Sequence, residues 1–148
     1  MSADLLPGGV TPQERAHVEA LIIDGAWRVD HGQADTVWEQ CTEDAVLFGM
    51  RPNEDIVGRE AIKAWGRTRA SAQRTTRHVV TNVRVYRDAS GDLRSTSTLT
   101  MYRHEGSGTG SAAPFMVGDY EDKYEQNADG RLLMAERRIV WAFMSPNS

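Results

Sequence analysis

The chain has 148 residues, 40% hydrophobic and 26% charged. That is one domain's worth of sequence, with too much apolar content to stay disordered and enough to bury roughly two-thirds of its surface. A net charge of −4 offers no basic surface to nucleic acid, and no apolar run reaches the ~18 residues of a membrane span. The single cysteine, Cys41, permits no intrachain disulfide and points to nothing beyond a reducing cytoplasm.

Residues 1–10 lack the basic and apolar pattern of a secretory leader and read as a flexible lead-in to one domain over 11–144, with a tail at 145–148. Thr11-Pro12-Gln13-Glu14 is a helix start: Thr11 caps, Pro12 suits the first helical position and Glu14 completes a capping box. Val18, Leu21, Ile22, Gly25, Ala26 and Val29 then recur at helical spacing. Ile23 and Trp27 add a second apolar strip, which predicts cover on two sides. Gly32 is placed to end the helix.

A short helix is expected over 34–41, a strand over 45–48, a loop over 51–57 broken by Pro52 and Asn53, and a third helix from Gly58 carrying Ile62 and Trp65. From His78 the period changes to two. Strands are expected over 78–87, 94–103, 114–126 and 131–143, with a hairpin turn at Asn127-Ala128-Asp129-Gly130 and a glycine- and serine-rich loop over 106–113. Helices first and a meander of strands after them mean α+β. A long twisted sheet curling around the first helix makes a cone whose concave side suits a ligand.

Phosphate-loop, zincin, paired-cysteine and nucleophile-elbow signatures are absent. The four histidines stand far apart without ligand spacing, so no metal site is expected. Alternation puts His78, Val80 and Asn82 on one strand face. Imidazole titrates near neutrality and makes a natural general base in a pocket. A carboxylate that fixes its tautomer improves it, and Asp30, at the end of the first helix, is the candidate. Asp35 competes, Asp30 reads equally as a carboxylate that stops a helix, and His78 as a strand histidine bonded for structure. Tyr120 and Tyr124 share a strand face with Met116 and Gly118, and of Asp119 and Asp122 only one points inward. Trp27 is expected in the pocket wall with Val80. Arg67, Arg69, Arg74 and Arg77 read either as a solvated helix end or as an anion-binding rim.

Val29-Asp30-His31-Gly32-Gln33-Ala34-Asp35, Phe48, Gly58-Arg59-Glu60-Ala61-Ile62, Thr76-Arg77-His78-Val79-Val80-Thr81-Asn82 and Gly118-Asp119-Tyr120 together resemble the SnoaL-like branch of the NTF2-like superfamily, over about residues 12–143. The resemblance implies a cone-shaped α+β barrel with a deep pocket, a homodimer or homotrimer, and a small apolar, polyketide-like or steroid-like ligand. Around the key residues it is similar to scytalone dehydratase, the bile-acid dehydratase and the hexachlorocyclohexane dehydrochlorinase. These pair an aspartate at the end of the first helix with a histidine that opens a strand and acts as base in an elimination. Asp30 and His78 match those positions. A tyrosine at or shortly before the residue preceding the aspartate belongs to the same pattern; here Val29 stands before Asp30 and the first helix has no tyrosine. The expectation is a lyase or isomerase without cofactor or metal, its catalytic residues His78 and Asp30, its substrate-binding residues Asn82, Tyr120, Trp27 and Val80. The alternatives are a non-catalytic ligand-binding protein and an assembly subunit.

Overall fold

Thr11 starts helix α1 (Pro12–Asp30) with a reciprocal cap. Its hydroxyl accepts from the Glu14 amide at 3.1 Å, and the Glu14 carboxylate accepts from the Thr11 amide at 2.9 Å. Two of the donors that a helix start leaves open are thereby satisfied. At the other end Gly32 adopts φ 77°, and the Gln33 amide closes on the Arg28 carbonyl at 2.8 Å. The computed structural model describes residues 4–51 and 53–146. Residues 1–3 of the expected lead-in, Pro52 of the expected loop and residues 147–148 of the expected tail lie outside the described residues.

A 3₁₀ helix (Ala34–Gln40) follows, then strands β1 (Cys41–Arg51) and β2 (Glu54–Val57), helix α2 (Arg59–Ser71), and strands β3 (Arg74–Arg87), β4 (Leu93–Glu105), β5 (Met116–Gln126) and β6 (Leu132–Met144). The six strands form one sheet in the order β2-β1-β6-β5-β4-β3. All neighbours are antiparallel except β1 and β6, which run parallel. The helices lie against the curved sheet, and the architecture is the expected α+β cone. Among the described residues, no helix is long and apolar enough to cross a membrane.

Several local expectations are corrected. The loop expected over 51–57 contains β2, whose Ile56 is buried opposite Leu47; the acidic pair Glu54-Asp55 hid a strand with one apolar inward residue. The first strand begins at Cys41, and β3 begins at Arg74, so His78 is in mid-strand. The lead-in is tied down where it is described. Leu6 pairs with Val10, Val10 is fully buried, and the Gly8 carbonyl accepts from the Arg87 amide at 2.9 Å. The second apolar strip of α1 faces outward: Ile23 is exposed, and Trp27 is 58% exposed and stacked on His31 at 3.7 Å between ring centroids.

Of the bulges in the sheet, two decide which side chains of β3 and β6 face the helices beside the site. In β3, Thr81 pairs with Thr98 and Arg84 with Thr96, so Asn82 and Val83 oppose one residue. Asn82 takes φ 53°, a left-handed conformation that asparagine tolerates. In β6, Glu136 pairs with Lys123 and Met134 with Tyr124, which leaves Ala135 as the extra residue. Each insertion reverses which parity points inward and adds twist.

One end of the cone is packed solid by Val18 and Ile22 of α1 against Ala45, Leu47, Ile62, Val85 and Met134. A second cluster of Leu99, Met116 and Tyr120 lines the sheet further along. Gly66 lets α2 meet the 3₁₀ helix. A Cβ there would stand 2.4 Å from the Ala34 carbonyl oxygen, backbone against backbone. Gly66→Ala is therefore expected to destabilise the fold by about 1–3 kcal/mol, measured as a lowered thermal midpoint relative to the unmodified chain.

Candidate functional site

Between the two clusters lies a cavity of about 190 Å³. Its helical wall is one face of α1, through Leu21, Ile22, Gly25, Ala26 and Val29, with Trp65 of α2; its sheet wall includes Leu99, Met101, Met116 and Tyr120. Two of the places where polar groups meet this apolar chamber hold a buried carboxylate.

The first is the end of α1. Asp30 is its last residue, where the helix dipole disfavours a negative charge. Three donors compensate. The carboxylate accepts from the Thr76 hydroxyl at 2.8 Å, from the His78 amide at 2.8 Å, and from His78 Nδ1 at 2.6 Å. Arg69 donates to Thr76 Oγ1 at 2.8 Å and orients that hydroxyl towards the acid. The Asp30 and His78 side chains are 6% and 12% exposed. Burial pushes the Asp30 carboxyl up, but the hydrogen bonds and charge of His78, together with Thr76, outweigh it and hold the group below the usual carboxylate range. An ionised carboxylate only accepts, so Nδ1 carries the proton and the lone pair of a neutral ring sits on Nε2. His78 lines the cavity, and its Nε2 has no hydrogen-bond partner among the described residues.

The second place is the sheet floor. Arg137 holds Asp122 through two bonds of 2.9 and 2.8 Å. The Tyr124 hydroxyl donates to Asp122 at 3.1 Å and meets Ser95 Oγ at 2.9 Å. Burial opposes the charge of Arg137, but Asp122 more than restores it and raises its pKa. The guanidinium lies over the Tyr120 ring, 3.8 Å from its centroid. Burial raises the Tyr120 phenol above its ordinary value, so it stays protonated and able to donate; no partner meets its hydroxyl among the described residues. The Cys41 thiol is pushed up to about 11 by burial, which leaves it protonated and unsuited as a nucleophile.

The structure thus joins His78 to Asp30 and places His78 and Tyr120 in the lining of one cavity. Val80 faces inward and packs against both clusters, but it is not part of the cavity lining. Asn82 was expected beside His78. The bulge at its own position turns it out to solvent and turns Val83 and Val85 in. Trp27 lies on the outward side of α1, away from the lining. Asp35 is exposed in the 3₁₀ helix, and of the two β5 acids Asp122 is the inward one. Arg137 and Arg103 are polar lining residues that the sequence reading did not single out. Arg103 was open to discovery, because it continues the alternation of Leu99 and Met101. Arg137 was hidden by the Ala135 bulge. Of the four clustered arginines, Arg69 and Arg74 reach the cavity. Among the described residues, no three histidine, cysteine, aspartate or glutamate side chains gather as a metal would need.

A SnoaL-like domain model matches residues 12–138. The chain belongs to this family. A search of curated protein sequences returns no match. Among solved structures, it is similar to a candidate scytalone dehydratase of Novosphingobium aromaticivorans, at 18% identity and a TM-score of 0.75, covering 90% of this chain and 87% of that one. It is also similar to ActVI-ORFA of Streptomyces coelicolor, at 18% identity and a TM-score of 0.70, over 86% and 96% of the two chains. A Catenulispora acidiphila protein solved in complex with S-DNPA aligns at 21% identity with a TM-score of 0.66, over 86% and 92%. At these identities the likeness is one of fold, and it agrees with the SnoaL-like, NTF2-like resemblance read from the sequence.

Because the folded Asp30 pKa lies below the unfolded value of about 3.9, its ionised form stabilises the protein above that pH, and the contribution is lost as the pH falls through the folded pKa. Asp30→Asn is expected to cost about 2 kcal/mol at neutral pH, the scale of hydrogen bonds to a charged group. Denaturant titrations of both proteins should show the difference shrinking below about pH 4.

Proposed function

We propose that the protein is a general-base enzyme working without a cofactor: a lyase of dehydratase type, or an isomerase, acting on a small, mostly apolar molecule. The observation that carries this reading is the 2.6 Å contact between His78 Nδ1 and Asp30, which leaves Nε2 as the basic atom on the cavity side.

In the proposed reaction Nε2 takes a proton from carbon next to a carbonyl. The electron pair of that C–H bond moves into a new C=C bond, and negative charge gathers on the carbonyl oxygen. The Tyr120 hydroxyl is the donor offered to that oxygen, and the Arg137 guanidinium stacked on its ring holds the phenol in place. Asp30 acts as a positioning residue: it fixes the ring and stabilises the imidazolium. In an elimination the enolate expels a β-hydroxyl, which takes a proton from the imidazolium and leaves as water. In an isomerisation the same proton returns to another carbon. A positioned base contributes about 10²–10⁴-fold and a placed oxyanion donor about 10²–10³-fold, so two groups suffice for a proton transfer of this kind.

Support for the substrate class comes from the apolar lining and the size of the cavity. The family likeness supports a polyketide-like or steroid-like compound. Exposed Val79, Val140 and Phe143 on the sheet support association into a homodimer or homotrimer. A second reading, a pocket that carries a ligand without chemistry, is favoured by the absence of tyrosine from α1. Fused aromatic β-hydroxyketones are the substrates to test. His78→Ala is expected to lower kcat for water loss by about 10²–10⁴-fold with an unchanged circular dichroism spectrum. Full turnover in that variant would remove His78 as base, whereas unaltered ligand recovered from every variant would favour the carrier.

A further inference from the structure

The mouth of the cavity carries more positive charge than the proton transfer uses. Arg69, Arg74 and Arg103 all line it, and register brings them together: Thr76 lies opposite Arg103, and Arg74 opposite Glu105. Arg69 reaches the same spot from α2 through Thr76. Among the described residues, the acids that act on Arg69 are Asp30, which is committed to His78 and Thr76, and Glu105. Glu105 accepts the Nε–H of Arg74 at 2.9 Å and that of Arg103 at 2.5 Å on one oxygen, Oε1. Both Nη edges of these two guanidiniums have no hydrogen-bond partner among the described residues. The fourth lining arginine, Arg137, is neutralised by Asp122. Leaving His78 aside, the three lining arginines Arg69, Arg74 and Arg103 face two carboxylates, an excess of one positive charge. Arg103 also lies over Phe115, 4.8 Å from the ring centroid, and a packed guanidinium is pre-organised for a planar anion. Burial lowers the pKa of Arg69, and the neighbouring Arg74 lowers it further, so like charges are held together here without a full set of counter-ions.

We propose that the substrate is a monoanion, an apolar body carrying one carboxylate, and that the free Nη edges of Arg74 and Arg103 receive the carboxylate while the body lies in the chamber against His78. Arg69 adds charge from behind. This rests on the reading of the cavity as a substrate site and names the substrate's class. The arginines are binding and orienting groups: a carboxylate held at the mouth fixes which carbon of the body meets Nε2. The arrangement matches planar two-bond recognition of a carboxylate, in which charge-assisted hydrogen bonds are the strong ones.

The test compares naphthaleneacetate with naphthaleneacetamide, which are alike in shape and differ in charge. Affinity is read from quenching of tryptophan fluorescence, since Trp65 and Trp141 line the cavity. The acid is expected to bind about tenfold tighter than the amide, with the preference weakening as salt rises. In the Arg74→Gln/Arg103→Gln double variant the preference should vanish while the amide binds as before. His78→Ala should keep the preference, so loss of the base mechanism and loss of the anion site are told apart. The proposal is overturned if the unmodified protein binds the acid no better than the amide, or if the double variant retains the preference.

Discussion

The site depends on one carboxylate placed where a helix least favours it. Asp30 ends α1, and its charge is tolerated only because Thr76 and both nitrogen donors of His78 converge on it. The compensation runs in both directions. The acid locks one strand to one helix end, and the strand's histidine is left with its lone pair directed away from the acid. A structural need, satisfying a buried charge, and a chemical capability, a base of fixed tautomer, are met by the same three hydrogen bonds.

The rest of the cavity is arranged around that contact in layers of decreasing burial. Deepest is the Asp122–Arg137 pair with Tyr124 and Ser95, a network in which each buried charge is matched. Such a pair contributes little net stability, but it would be costly to break from one side. Above it lie Tyr120 and the apolar walls, which keep water away and strengthen every electrostatic contact inside. At the mouth, charge is no longer balanced. The progression runs from one arginine held by its own carboxylate, Arg137 on Asp122, to two arginines that share a single carboxylate, Arg74 and Arg103 on Glu105.

Much of this was legible in the sequence, because most of it follows from periodicity. The capping box at Thr11 and Glu14, the inward face of α1, and the shared β5 face of Met116, Gly118, Tyr120 and Tyr124 read directly from spacing, whereas the pairing of Asp30 with His78, 48 positions apart, came from the family resemblance and not from spacing. The failures have one physical origin in the sheet. A bulge inserts a residue and reverses the phase, so Asn82 went outward and Arg137 came inward against simple counting. Nothing at Ala135 marks a bulge. Asn82 carried a faint signal, since asparagine is among the residues that tolerate a left-handed backbone. Trp27 failed for a different reason: a large apolar side chain on a helix invites an inward assignment, yet here it stacks on His31 at the surface. The arginine cluster was half visible as Arg69 and Arg74, and its third member came from a different strand, which only the register of β3 with β4 brings near.

The central claim is that Asp30 holds the His78 ring in one tautomer and leaves Nε2 as the basic atom. Long-range nitrogen–proton NMR correlations of the neutral imidazole test it most directly. The account predicts a proton fixed on Nδ1 and an unprotonated Nε2. A proton on Nε2, or averaging between the two tautomers, would contradict it.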